Sequence, residues 1–88
     1  MTWIVYILEC SDHSLYTGIT NDLERRLEEH RAGRGAKYTK RRSPLKVRYT
    51  ECQNTKSAAL KREAAIKSLA RAEKLALIAT QPTGGTAD

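Results

Sequence analysis

Tyr6, Tyr16, Arg26, His30 and Glu63 are the residues of this 88-residue chain whose types and spacing point to chemistry. All five fall on stretches whose apolar patterning requires them to pack together. An arginine turned toward a core is rare unless it has an anion to bind. A carboxylate on a mostly apolar helix, in a chain this basic, can hold a hard cation such as Mg²⁺. A guanidinium, one metal ion and tyrosine hydroxyls brought together would suit cleavage of a phosphodiester. Each residue also has a plainer reading. The tyrosines fit half-buried strand positions with the hydroxyl at the rim, Arg26 can pair with Glu29 or Glu9, and His30 suits the negative end of a helix. Glu63, four residues before Lys67, makes an ordinary helix-surface pair worth ~0.2–0.5 kcal/mol. Residue types alone stop at a small basic α/β domain that binds nucleic acid.

The elements that must position these residues follow from the pattern. Trp3–Cys10 is a branched and aromatic run, suited to a strand buried on both faces, with Trp3, Val5 and Ile7 opposite Ile4, Tyr6 and Leu8. Ser11 to Ser14 is turn chemistry, and Leu15–Thr20 is a second strand. Tyr6 and Tyr16 share a face only if the connecting loop holds an odd number of residues. Asn21 or Thr20 is expected to cap a helix that runs to about Arg31 and stops at Gly33. Leu23, Arg26, Leu27 and His30 form its inner stripe, so Arg26 faces the sheet and Arg25 points elsewhere. Leu45, Val47 and Tyr49 alternate with Lys46, Arg48 and Thr50 as a half-buried strand with one basic face. Asn54 or Thr55 should cap a second helix over 56–69, with Ala59, Leu60, Ala64, Ile66 and Leu69 as apolar cover. A third helical piece over 71–80 carries Leu75, Leu77 and Ile78. The expected fold is α/β (α+β): a small three-stranded antiparallel sheet, first strand central, flanked by helices in the order ββαβαα. One domain over 1–80 and a flexible tail over 81–88 complete the reading.

Charge narrows the partner. The net charge is +6, yet residues 1–30 hold two arginines against six acids, and residues 31–71 hold thirteen Lys/Arg against Glu51 and Glu63. So basic a middle segment is either an electrostatic footprint for a polyanion or a solubilising surface. A membrane surface fits less well, because the basic residues do not line one helix face opposite aromatics. No apolar run approaches the ~18 residues of a bilayer span, and Met1-Thr2 lacks the basic start of a secretory signal. Cys10 and Cys52 have no CxxC or histidine spacing and read as reduced, partly buried thiols of a cytoplasmic protein.

Ile4-Val5-Tyr6, then Tyr16-Thr17-Gly18, then Asn21-Asp22-Leu23-Glu24-Arg25-Arg26 resembles the GIY-YIG nuclease domain. The likeness spans about Thr2 to Ile78, with Ile4 where the family name has glycine. The Arg26-x-x-x-His30 spacing followed by Gly33 is similar to the branch that cuts branched DNA, and Lys61-Arg62-Glu63 to the segment supplying the family's metal-binding glutamate. The small stand-alone bacterial proteins of the YhbQ type are the nearest resemblance. It implies a GIY-YIG fold and an endonuclease dependent on a single divalent ion, Mg²⁺ or Mn²⁺, that hydrolyses DNA at single-stranded or branched sites in repair or recombination. Glu63 would hold the ion, Tyr6 would activate the attacking water through a lowered pKa with His30 accepting the proton, and Tyr16 would position water or phosphate. Arg26 would neutralise the transition state, and Gly18 would let backbone or substrate approach closely. Lys37, Tyr38, Lys40, Arg41 and Arg42 would grip flanking DNA phosphates, with Tyr38 alternatively packing under the loop. Two other readings stay open: a binding module of this fold that does not cut, and a subunit whose protein partner docks around Leu75 and Ile78.

Overall fold

The structure is a computed structural model that describes residues 2–34 and 45–81. Along those residues run β1 (Trp3–Glu9), β2 (Leu15–Thr20), α1 (Leu23–Arg31), β3 (Lys46–Gln53), α2 (Lys56–Lys67) and α3 (Arg71–Ala79). The three strands form one antiparallel sheet in the order β2-β1-β3. The central place of β1 follows from its composition, since Val5, Tyr6, Ile7 and Leu8 are all buried and need cover on both faces. Trp3, Val5 and Ile7 meet Tyr49 together with Ala59 and Ile66 of α2 and Leu77 and Ile78 of α3. Ile4, Tyr6 and Leu8 meet Cys10, Tyr16 and Leu45 together with Leu23 and Leu27 of α1. The sheet is therefore a septum with α1 on one side and α2 and α3 on the other.

Five residues, Cys10 to Ser14, connect β1 and β2, so the loop is odd and the hairpin pairs Tyr6 with Gly18 and Leu8 with Tyr16. Both tyrosines thus stand on the α1 face. The turn closes through Cys10 N–H on Ser14 O (2.9 Å) and His13 N–H on Cys10 O (2.9 Å), with His13 at φ 67°.

Three local expectations are corrected. The N-cap of α1 is Asp22, whose carboxylate accepts from Arg25 N–H at 3.1 Å; Thr20 accepts from Asp22 N–H at 3.0 Å and so braces the cap. Strand β3 does not alternate cleanly, because its register shifts between Ile7 and Leu8: Tyr49 lies opposite Ile7 and Val47 opposite Leu8. Arg48 is the extra residue, and the bulge sends Tyr49 to the α2 face and Leu45 to the α1 face, with Val47 left 38 % exposed. The buried stripe of α2 is Ala59 and Ile66, whereas Leu60 and Ala64 face outward. Polar contacts replace them: Arg62 Nε donates to both Glu51 oxygens at 2.9 Å, and Tyr49 and Gln53 also donate to Glu51. Thr55, capping α2 through Ala58 N–H, and this carboxylate cluster fix the rotation of the helix that carries Glu63.

Gln81, the first residue of the stretch read as tail, is tied to β3. Its side-chain amide accepts from Thr50 N–H at 3.1 Å and donates to Thr50 O, on the edge away from β1. On α3 Leu75 is exposed, but Ile78 packs on the core, so the apolar surface expected around that pair shrinks to Leu75. Cys10 is buried, Cys52 is exposed, and both are free thiols.

Candidate active site

The last turn of α1 sets the geometry. Gly33, at φ 78°, lets the chain reverse so that its N–H reaches His30 O at 3.1 Å and Arg34 N–H reaches Glu29 O at 2.8 Å. This closure holds the His30 ring against the sheet, where His30 is 1 % exposed and Tyr6, from the middle of β1, is equally buried. Tyr6 Oη and His30 Nε2 lie 2.9 Å apart. Tyr16 joins them, with its ring centroid 6.4 Å from that of Tyr6 and 5.4 Å from that of His30. The three rings form one aromatic cluster between β1, β2 and the end of α1.

Gly18 makes the cluster possible. It pairs with Tyr6 across the hairpin, and a methyl group there would sit 2.5 Å from the Tyr6 hydroxyl and 2.7 Å from Cζ. The space above this glycine is filled by the tyrosine hydroxyl, so the close approach that Gly18 permits here is that of the Tyr6 ring. Arg26 enters from the preceding turn of α1. Its Nη1 donates to Glu29 Oε1 at 3.0 Å, both side chains being about one-third exposed, and its positive charge acts on the Tyr6 hydroxyl. Arg25 is exposed, as the stripe argument requires. Of the two acids considered for Arg26, Glu29 is its partner, while Glu9 pairs with His13 (3.0 Å) and Arg48 (3.4 Å). Glu63, 18 % exposed on α2, pairs with Lys67 at 3.2 Å, and its negative charge acts on the Tyr6 hydroxyl. The structure therefore gathers Tyr6, Tyr16, Gly18, Arg26 and His30, while Glu63, on α2, acts on Tyr6 through its charge. Lys37, Tyr38, Lys40, Arg41 and Arg42 lie outside the described residues.

The electrostatics correct one expectation. Tyr6 is pushed up to about 12, because burial disfavours the phenolate by more than the adjacent Arg26 favours it. His30 is held below its ordinary 6.5 by burial and by the Arg26 charge, with Glu29 opposing. The resting pair is thus a neutral phenol and a neutral imidazole.

A pH dependence follows. The folded state disfavours imidazolium, so the contribution of His30 is complete above the unfolded value near 6.5 and is lost as pH falls through the lower folded value. The depressed carboxylates Glu9 and Glu51 lose their contributions only below about 4.5, so the interval from pH 7 to 5 isolates histidine. Thermal unfolding of the wild type is expected to weaken across that interval, and His30→Gln to flatten the slope, each kcal/mol appearing as ~4–8 °C. Equal slopes in the two proteins would contradict a neutral buried His30.

Among the described residues no group of three or more His, Cys, Asp or Glu side chains could enclose a metal. A caged structural ion is not what these residues suit. Glu63, the carboxylate expected to hold the ion, is partly exposed, which fits a cation of the Mg²⁺ type that keeps most of its waters and takes further oxygens from a phosphate.

This chain belongs to the GIY-YIG family, a nuclease superfamily: residues 2–76 match the family described as the GIY-YIG catalytic domain. Its relatives include a UPF0213 protein of Haloquadratum walsbyi, 60% identical over 70 residues that cover 80% of this chain and 79% of that protein. A UPF0213 protein of Syntrophus aciditrophicus is 57% identical over 79 residues, covering 89% of this chain and 91% of that protein. The solution NMR structure of a UPF0213 protein from Bacillus halodurans superposes with a TM-score of 0.65 at 40% identity, covering 99% of this chain and 95% of that one. The three-stranded sheet and its ββαβαα order are those of this family. Among the described residues no helix is long and apolar enough to cross a membrane.

Glu29 is the site residue that the sequence signalled least. It appeared there only as one of two acids open to Arg26, and its i, i+3 spacing from Arg26 was the available clue.

Proposed function

We propose that this chain is a divalent-metal-dependent endonuclease that hydrolyses DNA phosphodiester bonds, at single-stranded or branched sites of the kind met in repair and recombination. The observation that carries the reading is the 2.9 Å contact between Tyr6 Oη and His30 Nε2 beside Arg26, in a chain of this nuclease family. A phenol held near 12 does not act as a standing phenolate. A relay suits the pair better: Tyr6 takes a proton from the attacking water as it passes its own to His30 Nε2. No free tyrosinate then accumulates, and the neutral state of His30 becomes the requirement. Arg26, one-third exposed, meets the phosphate and offsets the charge that grows on it in the transition state. Tyr16, half-buried beside both rings, orients the water or a phosphate oxygen. A Mg²⁺ or Mn²⁺ ion held by Glu63 would supply Lewis-acid stabilisation of the phosphate and the departing 3′ oxygen. Lys37, Tyr38, Lys40, Arg41 and Arg42, read from the sequence alone, would supply contacts to the flanking phosphates.

The burial that raises Tyr6 also favours a second reading, a nucleic-acid-binding module of this fold that does not cut. Labelled single-stranded, duplex and forked DNA incubated with Mg²⁺, Mn²⁺ or EDTA separate the two. Cleavage is expected only with the metals, and Glu63→Ala is expected to lose at least ~10²-fold, in keeping with a principal source of transition-state charge stabilisation. Binding without cutting in every arm selects the module, and cutting that survives Glu63→Ala removes Glu63 as the metal ligand.

A further inference from the structure

We propose that Glu29 is a positioning residue for the proposed nuclease: its carboxylate holds the Arg26 guanidinium against the Tyr6–His30 pair. The inference rests on that nuclease reading for its consequence and on the geometry for its contact. Arg26 has a long side chain, one-third exposed, and such a chain samples many rotamers unless something fixes it. Glu29 fixes it here: its Oε1 accepts from Nη1 at 3.0 Å and so keeps the positive charge beside the Tyr6 hydroxyl and His30. Among the described residues Glu29 takes a single N–H of the planar fork, which has further donors to offer a phosphate oxygen.

The backbone of Glu29 is itself anchored, because its carbonyl accepts from Arg34 N–H in the turn closed by Gly33. The same turn therefore seats His30 and the residue that steers Arg26. An ordinary i, i+3 pair on a helix surface contributes little, and a carboxylate in the last turn opposes the helix dipole. Local helix stability is thus a poor account of Glu29. The neighbouring Glu28 is exposed, which singles out Glu29 on this face.

The test compares Glu29→Gln with Glu29→Ala in the full chain. Both remove the charge, but glutamine keeps an oxygen for Nη1 and alanine does not. Single-turnover cleavage is expected to fall roughly tenfold in kcat for alanine with little change in KM, as for a displaced transition-state group, and glutamine should restore it to within about threefold. NMR titration of His30 gives a readout free of activity. Arg26 lowers the His30 pKa, so His30 should titrate lower in the glutamine variant, where the guanidinium stays, than in the alanine variant, where it leaves. Identical titrations in the two variants overturn the contact. Different titrations with equal kcat overturn the role in catalysis. A wild type that cuts none of the substrates removes the nuclease reading and with it the role in catalysis, while the titration still decides whether Glu29 holds Arg26.

Discussion

Gly18→Ala is expected to lower the melting temperature by at least about 8 °C and to abolish the Tyr6–His30 contact. The backbone at Gly18 is outside the left-handed region, so alanine meets no dihedral penalty and the whole effect is steric. A methyl 2.5 Å from the Tyr6 hydroxyl and 2.7 Å from Cζ cannot be accommodated without moving the ring. The ring is 1 % exposed and packed in the α1-side core, so it has nowhere cheap to go. Overpacking of this kind costs ~1–3 kcal/mol, and a buried hydrogen bond left unmade costs ~1–3 kcal/mol more. At ~4–8 °C per kcal/mol for a domain of this size, the expected drop follows. Calorimetry measures the stability, and the His30 ring resonances report whether its partner has gone. The double variant Tyr6→Phe/Gly18→Ala supplies the internal control. Removing the oxygen nearest the methyl should recover part of the loss, giving a coupling energy of favourable sign. A fully stable single variant with unchanged His30 resonances would show that the hydroxyl does not lie over Gly18.

Tyr6→Phe is the variant expected to separate chemistry from folding most sharply. It keeps the aromatic ring in the core and deletes one oxygen, so stability should fall only by the ~1–3 kcal/mol that follows from removing the partner of a buried group. The proposed relay loses its first proton acceptor, and single-turnover cleavage should fall ~10²–10⁴-fold, the span typical of a positioned acid–base group. Tyr16→Phe, which removes the hydroxyl proposed to orient water or phosphate from a half-buried ring, should cost less. Cleavage by Tyr6→Phe within threefold of the wild type would end the relay, whatever the metal dependence.

The order of elements and the choice between adjacent arginines were legible because each rests on one strong periodicity. The stripe Leu23, Arg26, Leu27, His30 has room for only one arginine, and helical geometry names it. The shared face of Tyr6 and Tyr16 was legible only as a condition on loop parity, because turn residues such as Ser11 and Asp12 admit several lengths. The bulge at Arg48 was not legible. An alternating apolar pattern carries no mark of an inserted residue, and only pairing with β1 reveals that Leu45 and Tyr49 face opposite ways. The sense of the Tyr6 shift was missed for a related reason. Proximity of Arg26 can be read from a helical stripe, but burial depends on Gly18, Leu8 and the closing turn of α1 acting together. Burial wins here.

The link between Gln81 and Thr50 bears on how these molecules coexist at high concentration. An outer strand normally displays a ladder of unspent donors and acceptors, an open template on which a second chain can pair and begin a fibre. Here one amide side chain, arriving from beyond α3, satisfies both backbone groups of Thr50 near the centre of β3. It works as a strand one residue long. The template is interrupted at mid-length, and a would-be recruit finds only short stretches on either side of the plug. Solubility in this small domain is thus guarded by a glutamine as well as by its net positive charge.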